Sequence, residues 1–394
     1  MTLGSSGPTA PERGGPDRSA AMTSLVAAVL RGEPVTWPPA GEPTAFLDLT
    51  ARHAVQPLLA HQLHRTPTGS GWPDEVREPL RQAARLEALA EVVRRRELQR
   101  VLAALDAAGV RTLLMKGAAL AYLYYPNPSL RPRCDTDLLI RQDDRATVTQ
   151  VMLELGYRGW TQTSGDLVMP QFTFVKEGRA GVWHACDFHL KILNPAVFAN
   201  LLSFEEAAAR SVPVPALGKP ACAFGPLDAL LVACIHRVAH HHDSGKLLWL
   251  YDIHLLANGM DRPAFEAFVA LAAEKQVRTV CLRGLTLARR WFATPVPGDV
   301  METLAVHDVG EPTAAFLDGR LSRVDILLSD LTALGGWTAR WRLLRQHLFP
   351  PPAYMRERYA VSGSVLLPAL YMHRAVQGAW KWFRRPAKVS SVSS

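Results

Sequence analysis

The spacing of apolar residues keeps a helical period up to Gly109 and then changes, and this limits what the chain can fold into. The run 75–109, "EVREPLRQAARLEALAEVVRRRELQRVLAALDAAG", repeats apolar side chains every three or four positions and stops at a glycine. Its arginine-rich face is expected to be solvated. "VRTLLMKG" (110–117) is then a short apolar run ending in Lys-Gly, and "AALAYLYY" resumes helical character, which predicts a strand, a turn and a helix. "PNPSLRPR" is a proline-broken loop, and "CDTDLLI" reads as a strand. Because strand side chains alternate, Asp135 and Asp137 share one face of it. An amphipathic helix is expected over 143–157. Two strand-like runs follow, "QFTFVKEG" and "VWHACDFHLKI", joined through Gly178 and Gly181. In the second run Asp187 and His189 fall on one face, with Cys186 and Phe188 on the other.

Helical pattern flanks this segment on both sides. "TSLVAAVL" and "VQPLLAHQLH" precede the long run, and candidate helices follow near 226–242, 245–258, 262–274, 276–292, 337–348 and 363–383. The fold class is therefore α/β in the α+β sense, a small mixed sheet between helical regions. The divisions expected are a disordered tail over 1–20, a helical region over 21–109, a sheet core over 110–210 and a second helical region over 220–388. The Pro-rich stretch "SVPVPALGKP" (211–220) marks the last boundary.

With 394 residues and 48% hydrophobic residues, the chain can bury a sizeable core in two or three packed units. A net charge of +8 favours anionic partners such as nucleotides, nucleic acid, phosphosugars or an acidic membrane surface. Five dispersed cysteines without a CxxC suggest neither a disulfide framework nor a zinc cluster, which fits a cytoplasmic protein. The first twenty residues are Gly-, Pro- and Ser-rich without an apolar core, unlike a signal peptide. "YAVSGSVLLPALYM" (359–372) is too short and too broken to span a bilayer.

The chemistry concentrates in residues 115–140. A carboxylate pair at i, i+2 on a strand, joined by a third carboxylate on a neighbouring strand, suits one or two Mg²⁺ ions, which prefer oxygen donors completed by water and phosphate. Asp135, Asp137 and Asp187 supply the three. Gly117, at a strand-to-helix turn, would let a phosphate approach backbone N–H groups, with Lys116 as a further cation and Arg131 and Arg133 as a clamp. Phosphoryl or nucleotidyl transfer needs this kind of charge neutralisation more than a protein nucleophile. The plainer reading makes Lys116 and Gly117 a strand end and pairs the aspartates with Arg131 and Arg133.

On these residues, the stretch from Val110 to Lys191 resembles the nucleotidyltransferase core of the polymerase-beta-like superfamily. More narrowly, its "KG…L…Y…R…D-x-D-L-L" block, its "LGY" and its later "D-x-H" strand are similar to the bacterial family of uncharacterised nucleotidyltransferases. The likeness continues through "LLWLYDIHLLA" (247–257) and "LFPPPAYMRERY" (348–359). It implies a mixed sheet with flanking helices, two Mg²⁺ ions held by three carboxylates, and transfer of a nucleotide from a triphosphate such as ATP to a hydroxyl. By position Asp135 and Asp137 match the metal pair, Asp187 the third carboxylate, and Lys116 with Gly117 the phosphate turn. The turn reads Gly117-Ala118 where the superfamily has Gly-Ser, so backbone donors and Lys116 would replace the hydroxyl. The resemblance leaves the acceptor open among a small molecule, a peptide, a sugar and RNA.

The sequence also admits three rival readings. One is a catalytically silent relative that binds a nucleotide or a partner protein. Another takes "HRVAHHHDSGKLLWLYD" (236–252) as the metal ligands of an HD-type phosphohydrolase. Here the favoured view is that the segment belongs to a helical bundle, with His236, Asp252 and also His189 forming a wall of the nucleotide cleft. The third concerns "LYMHRAVQGAWKWFRRPAK" (370–388), which has the Trp and basic content of an interfacial membrane helix. Packing against the bundle is favoured over that membrane contact.

Overall fold

The computed structural model of the chain describes residues 16–160, 167–178, 181–306, 310–318, 321–361, 363 and 365–383. Seven short strands form one mixed sheet: β1 (Leu113–Met115), β2 (Thr136–Leu139), β3 (Arg158–Trp160), β4 (Gln171–Glu177), β5 (Trp183–His189), β6 (Val212–Pro213) and β7 (Cys222–Ala223). Their order is β3-β4-β5-β2-β1-β7-β6. β2 runs antiparallel to β1 and parallel to β5, and β4 and β5 form a long antiparallel pair.

Strand alternation divides the core in two. Leu114, Leu138, Cys186 and Phe188 face one cluster, completed by Leu98, Val101, Leu102 and Leu105 of the helix Asp74–Ala107 and by Val148, Val151 and Met152 of the helix Arg145–Glu154. Leu113, Met115 and Leu139 face the other, where the N-terminal helices Pro43–Arg52 and Gln56–Arg65 meet the helices Pro226–Ala239, Leu247–Asn258 and Arg278–Phe292. Fully burying one such aliphatic side chain contributes about 1.5–3 kcal/mol. A one-residue slip of β2 would swap its two faces and forfeit that burial. The same alternation leaves Asp137, Asp187 and His189 on the face that the two helical regions enclose.

The α/β class expected from the sequence is the class observed. The helices predicted over 262–274 and 337–348 appear as Arg262–Glu274 and Trp337–Leu348. Two expectations change. The stretch 211–220, read as a boundary, carries β6, whose neighbour β7 pairs in parallel with β1, so the sheet continues through residue 223. Two-residue strands are too short to show a period, which is why the sequence concealed them. Most of the tail assigned to 1–20 lies outside the described residues, but Pro16 already opens the helix Pro16–Leu30, with proline's fixed φ suited to a first turn. Part of 370–388 likewise lies outside the described residues. The helix Leu367–Phe383 is tied to the protein by Tyr371, whose hydroxyl donates to the Pro350 carbonyl at 2.6 Å. Among the described residues no helix is long and apolar enough to cross a membrane.

Candidate active site

β2 and β5 pair in register with Asp137 beside Asp187, so two carboxylates stand next to each other on adjacent parallel strands. His189, two residues further along β5, projects from the same face. One donor atom from each of Asp137, Asp187 and His189 lies within 4.8 Å of the others. Asp137 Oδ1 accepts from Lys116 Nζ at 2.8 Å and lies 2.9 Å from His189 Nε2. Thr173 of β4 donates its hydroxyl to Asp187 Oδ1 at 2.6 Å, across the strand pair that sets Thr173 opposite Asp187. Asp135, just before β2, stands outside this trio but lines the same cleft, a cavity of about 530 Å³.

The three carboxyls feel this arrangement differently. Burial would push Asp137 up, but the Lys116 ammonium and the His189 hydrogen bond outweigh it and hold the group well below the usual carboxylate range. Asp135 reaches the water of the cleft, yet the protein around it, with the negative charges of Asp137 and Asp187, pushes its carboxyl up to about 6. Burial raises Asp187 as well, against the Thr173 hydrogen bond and with Asp137 adding to the rise. Burial and the Lys116 charge keep the His189 ring neutral. A neutral ring meets a carboxylate there as an Nε2–H donor, which leaves Nδ1 bare, and Nδ1 is buried without a hydrogen-bond partner.

Lys116 opens the helix Lys116–Leu123 directly after β1, with φ at 53°. A residue with a Cβ resists this left-handed conformation by about 1–2 kcal/mol. Met115 pairs with Asp137 across β1 and β2, which brings the strained lysine beside the carboxylate it holds. Gly117 follows because there is no room for a side chain, since an added Cβ would come within 2.6 Å of Arg131 Nη1.

Arg131 and Arg133 do not pair with the aspartates that follow them. Arg131 donates through Nε and Nη2 to both carboxylate oxygens of Asp252, at 3.0 and 2.7 Å, and Tyr125 donates to the same carboxylate at 2.8 Å. Arg133 Nη2 donates to Glu91 Oε1 at 2.9 Å while Nη1 lies 2.6 Å from Oε2 as an ion-pair contact, and Tyr122 is a further donor to Glu91. All four charged side chains are at least nine-tenths buried. Both arginines line the cleft, but each charge is already answered by a buried carboxylate, and Nε and Nη1 of Arg133 are buried without a hydrogen-bond partner.

His236, His240, His241, Trp249 and Asp252 close the cleft from the second helical region. Burial and the Lys116 charge depress His236 far below its ordinary value and His240 to about 3, so this wall presents uncharged rings. The phosphohydrolase ligand set does not assemble. Asp243 is taken by Arg237 and by Arg283, the latter at 3.0 Å, and Asp252 by Arg131. Among the described residues the only metal-capable group of three is Asp137, Asp187 and His189. A functional reading of the sequence passes over Glu91 and Thr173. Glu91 could have been noticed, because it stands seven residues before Leu98 and so shares the helix face that enters the core. Thr173 carried no signal.

Residues 39–293, about two thirds of the chain, match the protein family described as uncharacterised nucleotidyltransferase. No curated protein matches the chain.

Proposed function

The chain belongs to the uncharacterised nucleotidyltransferase family, and on that premise we propose that it transfers a nucleotidyl group from a nucleoside triphosphate to an acceptor hydroxyl in a metal-dependent reaction. One observation carries this reading: Asp137 and Asp187 lie side by side at a cleft large enough for a nucleotide, with Asp135 at the same cavity and repulsion between them only partly relieved by Lys116. Elevated carboxyls held in like-charge company are a standing demand for a cation.

The donor set fits Mg²⁺. Asp137 and Asp187 offer hard oxygen ligands, and water and phosphate oxygens would complete the shell. His189 fits better as the group that orients Asp137 than as a ligand. A ligating imidazole donates its other N–H to a partner, and Nδ1 has none. A bound Mg²⁺ supplies charge neutralisation of the triphosphate and of the leaving pyrophosphate. Asp135, reaching cleft water and with a carboxyl near 6, is placed to accept the proton of the acceptor hydroxyl. Lys116 holds Asp137 ionised and fixed in place on this face. The uncharged His236, His240 and Trp249 wall would meet the nucleoside.

Lys116 also favours one second reading, a catalytically silent nucleotide binder, since its ammonium already neutralises Asp137. Calorimetric titration of Mg²⁺ with each ribonucleoside triphosphate tests binding, and mass-shift screening of acceptor pools tests transfer. Metal-dependent binding without any adduct would favour the silent reading, and triphosphate binding indifferent to metal would sink both.

A further inference from the structure

Five side chains that line the cleft are permanently or ordinarily cationic: Arg94, Lys116, Arg131, Arg133 and Lys246. Four already have a carboxylate. Arg94 is paired with Glu87, Lys116 with Asp137, Arg131 with Asp252 and Arg133 with Glu91. Among the described residues Lys246 has no ion-pair partner. Asp252, the carboxylate whose charge reaches its ammonium, is held by both nitrogens of the Arg131 fork. Lys246 Nζ instead lies 4.9 Å from the centroid of the Trp249 ring, three residues on. The indole keeps the ammonium in place without neutralising it.

We propose that Lys246 is the phosphate-binding cation of this cleft, taking an oxygen of the triphosphate chain from the helical side while the carboxylate face carries the metal. This rests on the nucleotidyl-transfer reading above and assigns within it a role expected from the sequence for Arg131 and Arg133. A half-buried ammonium has lost part of its hydration and received no anion in exchange, and a phosphate oxygen restores that balance. The arginines are committed to Asp252 and Glu91, whose charges would be left buried and unpaired if they moved, and the spare donors of Arg133, Nε and Nη1, are themselves buried. Lys116 shares its ammonium with Asp137. Lys246 alone among these cations gains an anionic partner without any other group losing one.

The test compares wild type, Lys246→Met and Lys246→Arg in titrations with a Mg²⁺-loaded ribonucleoside triphosphate and with Mg²⁺ tripolyphosphate, alongside melting of the apo protein. A charge-assisted hydrogen bond of this kind corresponds to roughly a 10- to 150-fold change in affinity. Lys246→Met is expected to weaken both ligands by a factor in that range, and by a similar factor for each because the contact is to phosphate. Lys246→Arg should recover most of the loss. The apo melting temperature of Lys246→Met should equal or exceed that of wild type, since an uncompensated cation has been removed. Triphosphate binding by Lys246→Met at the wild-type level would overturn the assignment and leave the nucleotidyl-transfer reading intact. Weaker binding accompanied by a lower apo melting temperature and no rescue by arginine would make Lys246 a structural residue. A wild type that binds neither ligand would overturn the functional reading, and the Lys246 assignment with it.

Discussion

Arg131 and Arg133 precede Asp135 and Asp137 by a few residues, and the two charged pairs meet opposite fates. Each arginine is matched by a carboxylate from a distant helix and sealed from water, Arg131 across 121 residues of sequence and Arg133 across 42. The aspartates receive one lysine between them and stand beside a third acid. The first pair is electrostatically satisfied and so serves the fold. The second is left short of positive charge, since Lys116 answers Asp137 while burial and like charge push Asp135 and the neighbouring Asp187 up. Within one loop, the difference between structural and ligand-directed charge lies in whether the partner is already present.

The hardest test of that contrast strikes the third acid, beside the unsatisfied pair. Asp187→Asn should reduce Mn²⁺ or Mg²⁺ affinity by at least about a hundredfold and any transfer rate by about a thousandfold. The apo protein should melt no earlier than wild type, because a destabilising like charge has gone. Calorimetry and melting curves on the same preparation check both, and a clear loss of apo stability would mean that Asp187 is structural.

On the satisfied side the expected result is the reverse. Arg131→Met leaves Asp252 buried beside Tyr125 alone and should cost about 3–5 kcal/mol in urea unfolding. The double variant Arg131→Met, Asp252→Leu should recover much of it, since an apolar pair needs no counter-charge. Equal losses in single and double variants would show that the pair contributes through shape alone. A smaller effect is expected at Gly117→Ala. The new methyl must push the Arg131 guanidinium off its present position, at a cost of about 1–3 kcal/mol. In the Arg131→Met background that cost should shrink.

The smallest effect concerns pH. The Asp135 carboxyl rises from an ordinary value of 3.8 to about 6 on folding, so between these values the folded state binds more protons than the unfolded one. By linkage this group makes the apo protein less stable as pH increases from about 4 to 6. Asp135→Asn should therefore match wild type near pH 3.5 and exceed it above pH 6, by a margin that water in the cleft keeps modest. Urea midpoints across that range decide it, and a variant less stable than wild type at pH 7 would contradict the sign.

The parts of this site legible in the sequence are those encoded locally. Strand β1, the Lys116-Gly117 turn and the aspartates around β2 follow from a change of period and from alternation over a few residues, and Asp187 and His189 from the same alternation on β5. The pairings of Arg131 and Arg133 could not be read, because their acids lie on helices whose docking is decided by the whole core. Asp252 advertised itself as the carboxylate inside "LLWLYDIHLLA", but nothing local said which cation it would meet. Gly117 was legible as a glycine at a turn, whereas its reason, the approach of Arg131, was not. Lys246 was invisible as a site residue because what distinguishes it is that the acid near it, Asp252, is taken by Arg131, a property of three-dimensional surroundings.

The parallel pairing of β2 with β5 also bears on how this protein is made. A hairpin closes within a few residues, but parallel neighbours must wait for the whole connection between them, here with β3 and β4 inserted. Asp137 meets His189 only after 52 residues of further chain, and Arg131 meets Asp252 only after 121. On a ribosome the Asp-x-Asp segment therefore emerges well before the strand that completes the acidic face, and before the helix that locks its loop. Loop closure over such distances is slow compared with helix formation. The acidic face thus matures only once β5 has joined the sheet, and a nascent chain stalled before residue 190 would display the motif without the pocket.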